Sequence, residues 1–416
     1  MESFRTLSAS LFAVVVLALA ICMSLAATEM AAAATPGIFV SNTRYTPGKE
    51  YGTWLYPCKS IQDGVFRVGM GGAIILIEDG TYVENVAVSY YSGIELRGNG
   101  PSVCVLQGNF GASAQTECET TYVYDDPEWF GQSHSVRTCT GTPIDVAVTG
   151  LAITGNAGGS GTNIRFTNCV VGGELNISGY SCEVWGIPEF GAFEYETVPG
   201  TGVVINCTVA NGMDCGAADV TVRNSVILGA AKVHNQAAWS YGPATLDVAY
   251  TCWSGPTPIC ITKSGHTTCP DVVLGEGNIE VDPLLADPLN GDYHLKSRFG
   301  RRNPATQTWV TDDVTSPCID AGDPASDYSS EPQPNGSRIN MGAYGNTTEA
   351  SRSTTYLIGD VNGDCAVNVL DLIQARNRLG QAVSSGDNWK ADVNGDGLIN
   401  VLDLLVIRGK LNTQCE

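Results

Sequence analysis

Two stretches near the C-terminus carry oxygen donors at alternate positions. The first, GDVNGDCAVNVLD (359–371), returns 32 positions later as ADVNGDGLINVLD (391–403). A calcium loop takes oxygens from its positions 1, 3, 5, 7, 9 and 12. The first copy offers Asp360, Asn362, Asp364, the main-chain carbonyl of Ala366, Asn368 and Asp371. The second offers Asp392, Asn394, Asp396, the carbonyl of Leu398, Asn400 and Asp403. Donors two apart converge because such a loop winds around its ion, and so many protein oxygens suit calcium better than magnesium, which sheds water reluctantly. Two calcium ions are therefore expected. Position 6 needs a positive φ and so favours glycine; the second copy has Gly397 there and the first has Cys365. Cys415 stands one residue from the end, and a Cys365–Cys415 disulfide is expected to clasp the first loop to the last residues.

Each loop runs into an apolar helical stretch, VLDLIQARNRLG or VLDLLVIRGKLN, with no helix before it. The missing entering helix, and Asp rather than Glu at position 12, make residues 357–416 resemble a type I dockerin. The resemblance implies docking to a cohesin on a scaffold or cell-surface protein. It places the contact at loop positions 10 and 11, Val369–Leu370 and Val401–Leu402, with Arg376 and Arg408 further along each helix. Apolar pairs there imply a hydrophobic specificity. Because the copies are nearly identical, either helix could present the same face, in two orientations related by a pseudo-twofold axis. The competing reading is that these Val–Leu pairs merely pack the two helices together.

The rest of the chain must be of another kind. A 416-residue chain has room for a large domain and a small one. The formal net charge of −21, from 43 acidic and 22 basic residues, excludes nucleic acid and anionic membrane surfaces as natural partners. With 43% hydrophobic and 16% charged residues the chain is not of disordered composition, and 48 glycines suit an all-β protein rich in turns. Residues 1–34 read as a signal peptide, with an apolar run, LFAVVVLALAICMSLA, after a basic residue. The run is short for a membrane span, so export without stable membrane insertion is expected, and the protein is read as secreted, possible cell-surface attachment coming through the C-terminal module. Fifteen cysteines fit an oxidising compartment. No CxxC pair is present, which disfavours zinc ribbons and redox motifs. Cys169/Cys182 and Cys207/Cys215 are close enough in sequence for local disulfides.

Residues 36–350 alternate short apolar strands with Gly and Asn. An eight-residue pattern recurs as VTGLAITG, FTNCVVGG, VINCTVAN, VRNSVILG and VAYTCWSG, starting at Val148, Phe166, Val204, Val222 and Val248, at spacings of 18, 38, 18 and 26. Its sixth position is always apolar: Ile153, Val171, Val209, Ile227, Trp253. Its third is Gly150, Asn168, Asn206, Asn224, Tyr250, read as a turn whose asparagines satisfy one another in a ladder. One coil buries too little surface alone, so the repeat implies a stacked solenoid. PCKSIQDGVFRVGMGGAIILIEDGTYVENV (57–86) resembles the opening of right-handed parallel β-helix proteins with a pectate-lyase-like fold. It implies a capping helix over Ile61–Val68 with Ile61, Val65 and Val68 on its buried face. EGNIEVDPLLADPLNGDYHLKS (276–297) and SPCIDAGDPASDYSSEPQPNGSRINMGAYGN (316–346) resemble the closing segment seen in exported β-helix proteins. Residues 351–356 read as a Ser/Thr-rich linker.

No catalytic set is legible on the solenoid. Asp125–Asp126 and Asp312–Asp313 are adjacent acids in loops, and neighbours on a strand point to opposite faces. Two loops are rich in aromatics: Trp129 and Phe130, then Trp185, Phe190, Phe193 and Tyr195. They could form a platform for stacked sugar rings, or they could pack the loops onto the solenoid. The sequence thus points to a subunit of an extracellular polysaccharide-degrading system, hydrolase or lyase. The alternative is a non-catalytic carbohydrate-binding or adhesin-like β-helix displayed through its docking module.

Overall fold

A computed structural model describes residues 37–414, apart from 70–71, 125–132, 185–193, 235, 238–239, 242–243, 256–258, 261–270, 334, 354–357, 363, 365, 382, 384–385 and 395–396. Over 115–141, 181–197, 234–243, 256–271 and at 386, 387 and 389 only the backbone is described. The described strands stack into three parallel sheets of nine, eight and seven strands. Each coil visits all three in turn: Thr162–Thr167 in the first, Val170–Val171 in the second, Leu175–Ser178 in the third. This is a parallel β-helix.

The alternation of side chains along each strand explains why the coils close. In Thr162–Thr167 residues Thr162, Ile164 and Phe166 point inward and are buried, while Asn163 and Arg165 face out. The sixth positions of the sequence repeat lie in register down the second sheet, Ile153 on Val171 on Val209 on Ile227 on Trp253, and all are buried. The interval of 38 contains a hairpin, Tyr180–Val184 with Glu194–Val198, inserted where the chain passes from the third sheet to the first. A longer hairpin, Gln115–Tyr124 with Ser133–Thr142, is inserted at the same corner of an earlier coil and lies beside it.

The turn asparagines behave differently from the expected ladder. Asn168, Asn206 and Asn224 have φ near +50°, the left-handed conformation that Asn tolerates. Their amides bond the closing segment instead of one another. Asn168 Nδ2 donates to the carbonyls of Ala343 (3.1 Å) and Gly345 (2.7 Å), Asn206 Nδ2 to that of Gly345 (3.4 Å), and Asn224 Nδ2 to Ser326 Oγ (2.9 Å). A mutual asparagine ladder does exist, at another turn: Asn109 N donates to Asn85 Oδ1 (2.9 Å) and Asn156 N to Asn109 Oδ1 (2.8 Å). Registered stacking satisfies side chains only where no other segment covers the turn.

Helix α1 (Ile61–Phe66) caps the first coil, two residues shorter than expected, with Ile61, Val65 and the following Val68 buried. Ser60 caps it, accepting from Asp63 N at 3.1 Å, and the Glu84 carboxylate accepts from Ile61 N (2.7 Å) and Gln62 N (3.0 Å). A carboxylate at a helix N-terminus is favoured by the macrodipole and satisfies two orphan donors. Neither Cys169–Cys182 nor Cys207–Cys215 forms, because Cys169, Cys207 and Cys215 are free and buried. Cys207 stands next to the second-sheet strand Thr208–Val209 and Cys215 lies in the third sheet, so stacking separates them. Burial against Cys169 pushes the Cys207 thiol well above its usual range.

The closing segment is held by buried polar groups. His294 Nδ1 meets Asp292 Oδ1 at 2.7 Å, Arg301 bridges Asp292 (2.9 Å) and Asp312 (3.0 Å), and Tyr344 stacks on His294. Asp312 is thus a structural ion-pair partner. Glu331 is buried, its Oε1 accepting from Asn340 N (2.8 Å) and Asn346 N (2.9 Å), and desolvation raises its pKa from 4.5 to about 7. Between these values the unfolded chain gives up a proton that native Glu331 keeps. Stability should therefore fall by about 3 kcal/mol as pH rises through that window, and be level above it. Glu331→Gln keeps the accepting oxygen and should flatten this decline between pH 5 and 7.5 in denaturant titrations of the β-helix transition; an unchanged slope would assign the dependence elsewhere.

Candidate metal centre and docking face

In the first acidic loop the carboxylates of Asp360, Asp364 and Asp371 converge, with oxygens within 4.8 Å of one another. Asp360 and Asp371 are buried and Asp364 is exposed. The backbone sets the positions. Asp371 Oδ1 accepts from Val361 N (2.8 Å) and Asn362 N (3.1 Å), and its Oδ2 from Asn368 N (2.8 Å). Asn368 accepts from Leu370 N at 2.8 Å and forms a capping box with Asp371 at the start of α2 (Val369–Asn377). The second loop repeats this: Asp403 Oδ1 accepts from Val393 N (2.8 Å) and Asn394 N (3.1 Å), its Oδ2 from Asn400 N (2.8 Å), and Asn400 caps α3 (Val401–Gly409). Gly397 takes φ +85°, and its N–H donates to Asp392 Oδ2 at 2.9 Å. Asp396 and Cys365 lie outside the described residues, as does Cys415. This all-oxygen donor set fits a hard divalent ion.

The two loop–helix units are joined by reciprocal contacts. Asn412 N donates to the carbonyl of Val367 (2.8 Å), and Gly380 N to that of Ile399 (2.9 Å). Asn412 and Gly380 both have positive φ, at +70° and +74°. Each contact joins position 8 of one loop to a residue three positions beyond the other repeat's helix, and the two are related by the 32-residue repeat offset. Ala366 also forms an antiparallel bridge with Gln414, neighbours in sequence of the two cysteines expected to pair. Val361, Val367, Ala375, Ala391, Ile399 and Ile407 fill the small core between the units.

That core does not contain the Val–Leu pairs. Val369, Leu370, Val401 and Leu402 are each between 52% and 62% exposed, which removes the reading that they pack the helices together. Ile373 and Leu405, one turn on, are also exposed and extend both faces identically. The sequence held their signal in the matching offset from Val369 and Val401. Arg376 and Arg408 sit in the last turns of α2 and α3, where a cation suits the helix dipole.

The solenoid offers a shallower candidate. A groove of about 430 Å³ on the outer face of the first sheet is lined by Glu95, Asp145, Asn163, Arg165 and Thr201 among others. Its carboxylates are committed. Asp145 accepts from Ser92 Oγ (3.3 Å) and Asn163 Nδ2 (2.9 Å), and Glu95 holds Arg97 through both oxygens (2.8 and 2.9 Å). Among the described residues of this groove no pair of acids is left to share acid and base roles. Trp129, Phe130, Trp185, Phe190 and Phe193 lie outside the described residues, as does the side chain of Tyr195, whose backbone belongs to the strand Glu194–Val198.

Two protein-family models match parts of the chain. Residues 358–412 match the dockerin type I domain, so the chain carries such a domain at its C-terminus. Dockerin domains bind calcium, their partner is a cohesin, and they typically belong to extracellular proteins. Residues 202–322 match a family described as disaggregatase related. Among curated proteins and among solved structures, none matches the chain. No described helix is long and apolar enough to cross a membrane.

Proposed function

We propose that this protein is a secreted subunit of an extracellular polysaccharide-degrading assembly, attached to a cohesin through a two-calcium dockerin. The observation that carries the reading is the pairing of each acidic loop with an exposed apolar helix face, twice over. Asp360, Asn362, Asp364, the Ala366 carbonyl, Asn368 and Asp371 hold one ion. Asp392, Asn394, Asp396, the Leu398 carbonyl, Asn400 and Asp403 hold the other. Val369, Leu370 and Arg376, or their counterparts Val401, Leu402 and Arg408, meet the cohesin. The coil stack gives a long surface suited to a polymer, and Trp129, Phe130, Trp185, Phe190, Phe193 and Tyr195 are its contact for sugar rings. The match of residues 202–322 to a family described as disaggregatase related supports action on an aggregated material.

The committed carboxylates of the first-sheet groove favour a second reading, in which the β-helix binds glycan without cleaving it. Capture on immobilised type I cohesins in calcium, release by chelator, and product analysis on acidic and neutral polysaccharides test both. Capture without products supports the binding role; no calcium-dependent capture by any cohesin overturns the docking assignment. The Cys365–Cys415 disulfide is part of the proposal. Thiol labelling of the exported protein under denaturing, non-reducing conditions should leave both residues unmodified, whereas labelling of both would remove the clasp.

A further inference from the structure

We propose that the loop preceding α1, residues 41–59, is a binding platform for a carboxylated polysaccharide. This rests on the polysaccharide reading above and adds a site on the opening coil of the β-helix, made of other residues than the aromatics named there.

Four aromatic rings fall within twelve positions: Tyr45, Tyr51, Trp54 and Tyr56. Two of them stand in solvent, Tyr51 at 61% and Trp54 at 62% exposure. Each is braced edge-on by another ring. Trp54 meets Phe39 at 5.5 Å and 78°, and Tyr51 meets Tyr56 at 5.8 Å and 86°. The loop backbone is fixed as well. Tyr51 N and Thr53 N both donate to the Tyr56 carbonyl at 3.1 Å, Phe39 N donates to the Gly52 carbonyl at 2.9 Å, and Cys58 bridges to Val40. Gly52 makes the turn with φ +71°, and a Cβ there would stand 3.0 Å from Ile38 Cγ2. Rings held in place before binding lose little freedom on contact, which favours stacking of flat ligands.

The charges select among such ligands. Arg44 lies over the Trp54 ring at 4.2 Å, Lys49 is 5.6 Å from the Tyr56 ring, and Lys59 is 5.1 Å from the Tyr45 ring. Residues 41–67 carry four cations, Arg44, Lys49, Lys59 and Arg67, against Glu50 and Asp63, in a chain of net charge −21. Arg44 is paired with Glu78. Among the described residues Lys49 and Lys59 have no carboxylate partner. Lysine ammonium groups beside Tyr45 and Tyr56, next to the exposed Tyr51 and Trp54, suit a pyranose whose apolar C–H face stacks on a ring while its carboxylate meets a lysine. A continuous apolar patch, as a protein partner needs, would not set a cation against three of its four rings.

The test uses the whole purified chain in affinity gels with carboxymethyl cellulose or hydroxyethyl cellulose, which share a glucan backbone and differ in charge. The carboxylated polymer should retard the protein more. Tyr51→Ala with Trp54→Ala should weaken that binding at least about tenfold. Lys49→Gln with Lys59→Gln should remove the preference for the carboxylated polymer, and it decides the matter alone if the aromatic variant fails to fold. Retardation unchanged in both variants overturns the platform and leaves the polysaccharide reading standing; no retardation of the native chain by either polymer overturns both. A native dimer that the aromatic variant converts to monomer would assign the patch to self-association and also overturn the proposal.

Discussion

Chelating calcium is expected to unfold residues 357–416 completely and leave the β-helix folded. Six buried residues make a small core, and small domains bury too little surface to offset chain entropy without further support. Without a cation the clustered carboxylates of Asp360, Asp364 and Asp371 repel one another, by an amount on the order of a few kcal/mol per pair at an effective dielectric of about 20, and less at the exposed Asp364. Calcium reverses that repulsion, so binding and folding are one event. Calorimetry of the full chain should show two transitions, of which only one vanishes in chelator. With two independent sites, each tenfold rise in free calcium should add about 2.7 kcal/mol to that transition, twice the one-site value. Asp364→Ala should halve this dependence. A β-helix transition that also moves with calcium would place an ion in the solenoid, and a one-site slope in the native chain would remove one of the two loops.

The parts that were legible in the sequence are those fixed by local spacing. Position 12 of each acidic loop and the helix that follows come from the same few residues, so Asp371 and Asp403 could be assigned from order alone. The inward sites Ile153, Val171, Val209 and Ile227 repeat because each coil must bury the next. What depends on a distant segment could not be read. Asn168 and Asn206 were legible as turn residues, but their partners lie more than a hundred positions away in the closing segment. Glu84 was visible inside GTYVEN, yet nothing local shows that its carboxylate caps α1. The outward-facing groove of the first sheet escapes as well, because polar side chains on a solvated face carry no periodic constraint beyond being polar. A Cys207–Cys215 disulfide, open to the sequence, is absent for the same reason: sequence proximity says nothing about which sheet each residue joins.

Disabling one helix face should leave cohesin binding nearly intact, and disabling both should abolish it. The exchange-related contacts, Asn412 to Val367 and Gly380 to Ile399, show that the two halves adopt the same geometry, and the exposed triplets Val369–Leu370–Ile373 and Val401–Leu402–Leu405 occupy equivalent places on α2 and α3. If either triplet can seat on the same cohesin surface, loss of one removes half of two equal binding modes, a change of about twofold in Kd. Loss of both buries a charge against an apolar partner surface wherever the domain docks, which should weaken binding at least about a hundredfold. Val369→Asp with Leu370→Asp, the counterpart Val401→Asp with Leu402→Asp, and the four together, measured against whichever type I cohesin retains the native chain, separate the cases. Because all four side chains are exposed, the calcium-dependent unfolding transition should survive in every variant and report that the module still folds. A single pair that abolishes binding by itself would leave one docking orientation, and the near-identity of the repeats would then serve the calcium sites alone.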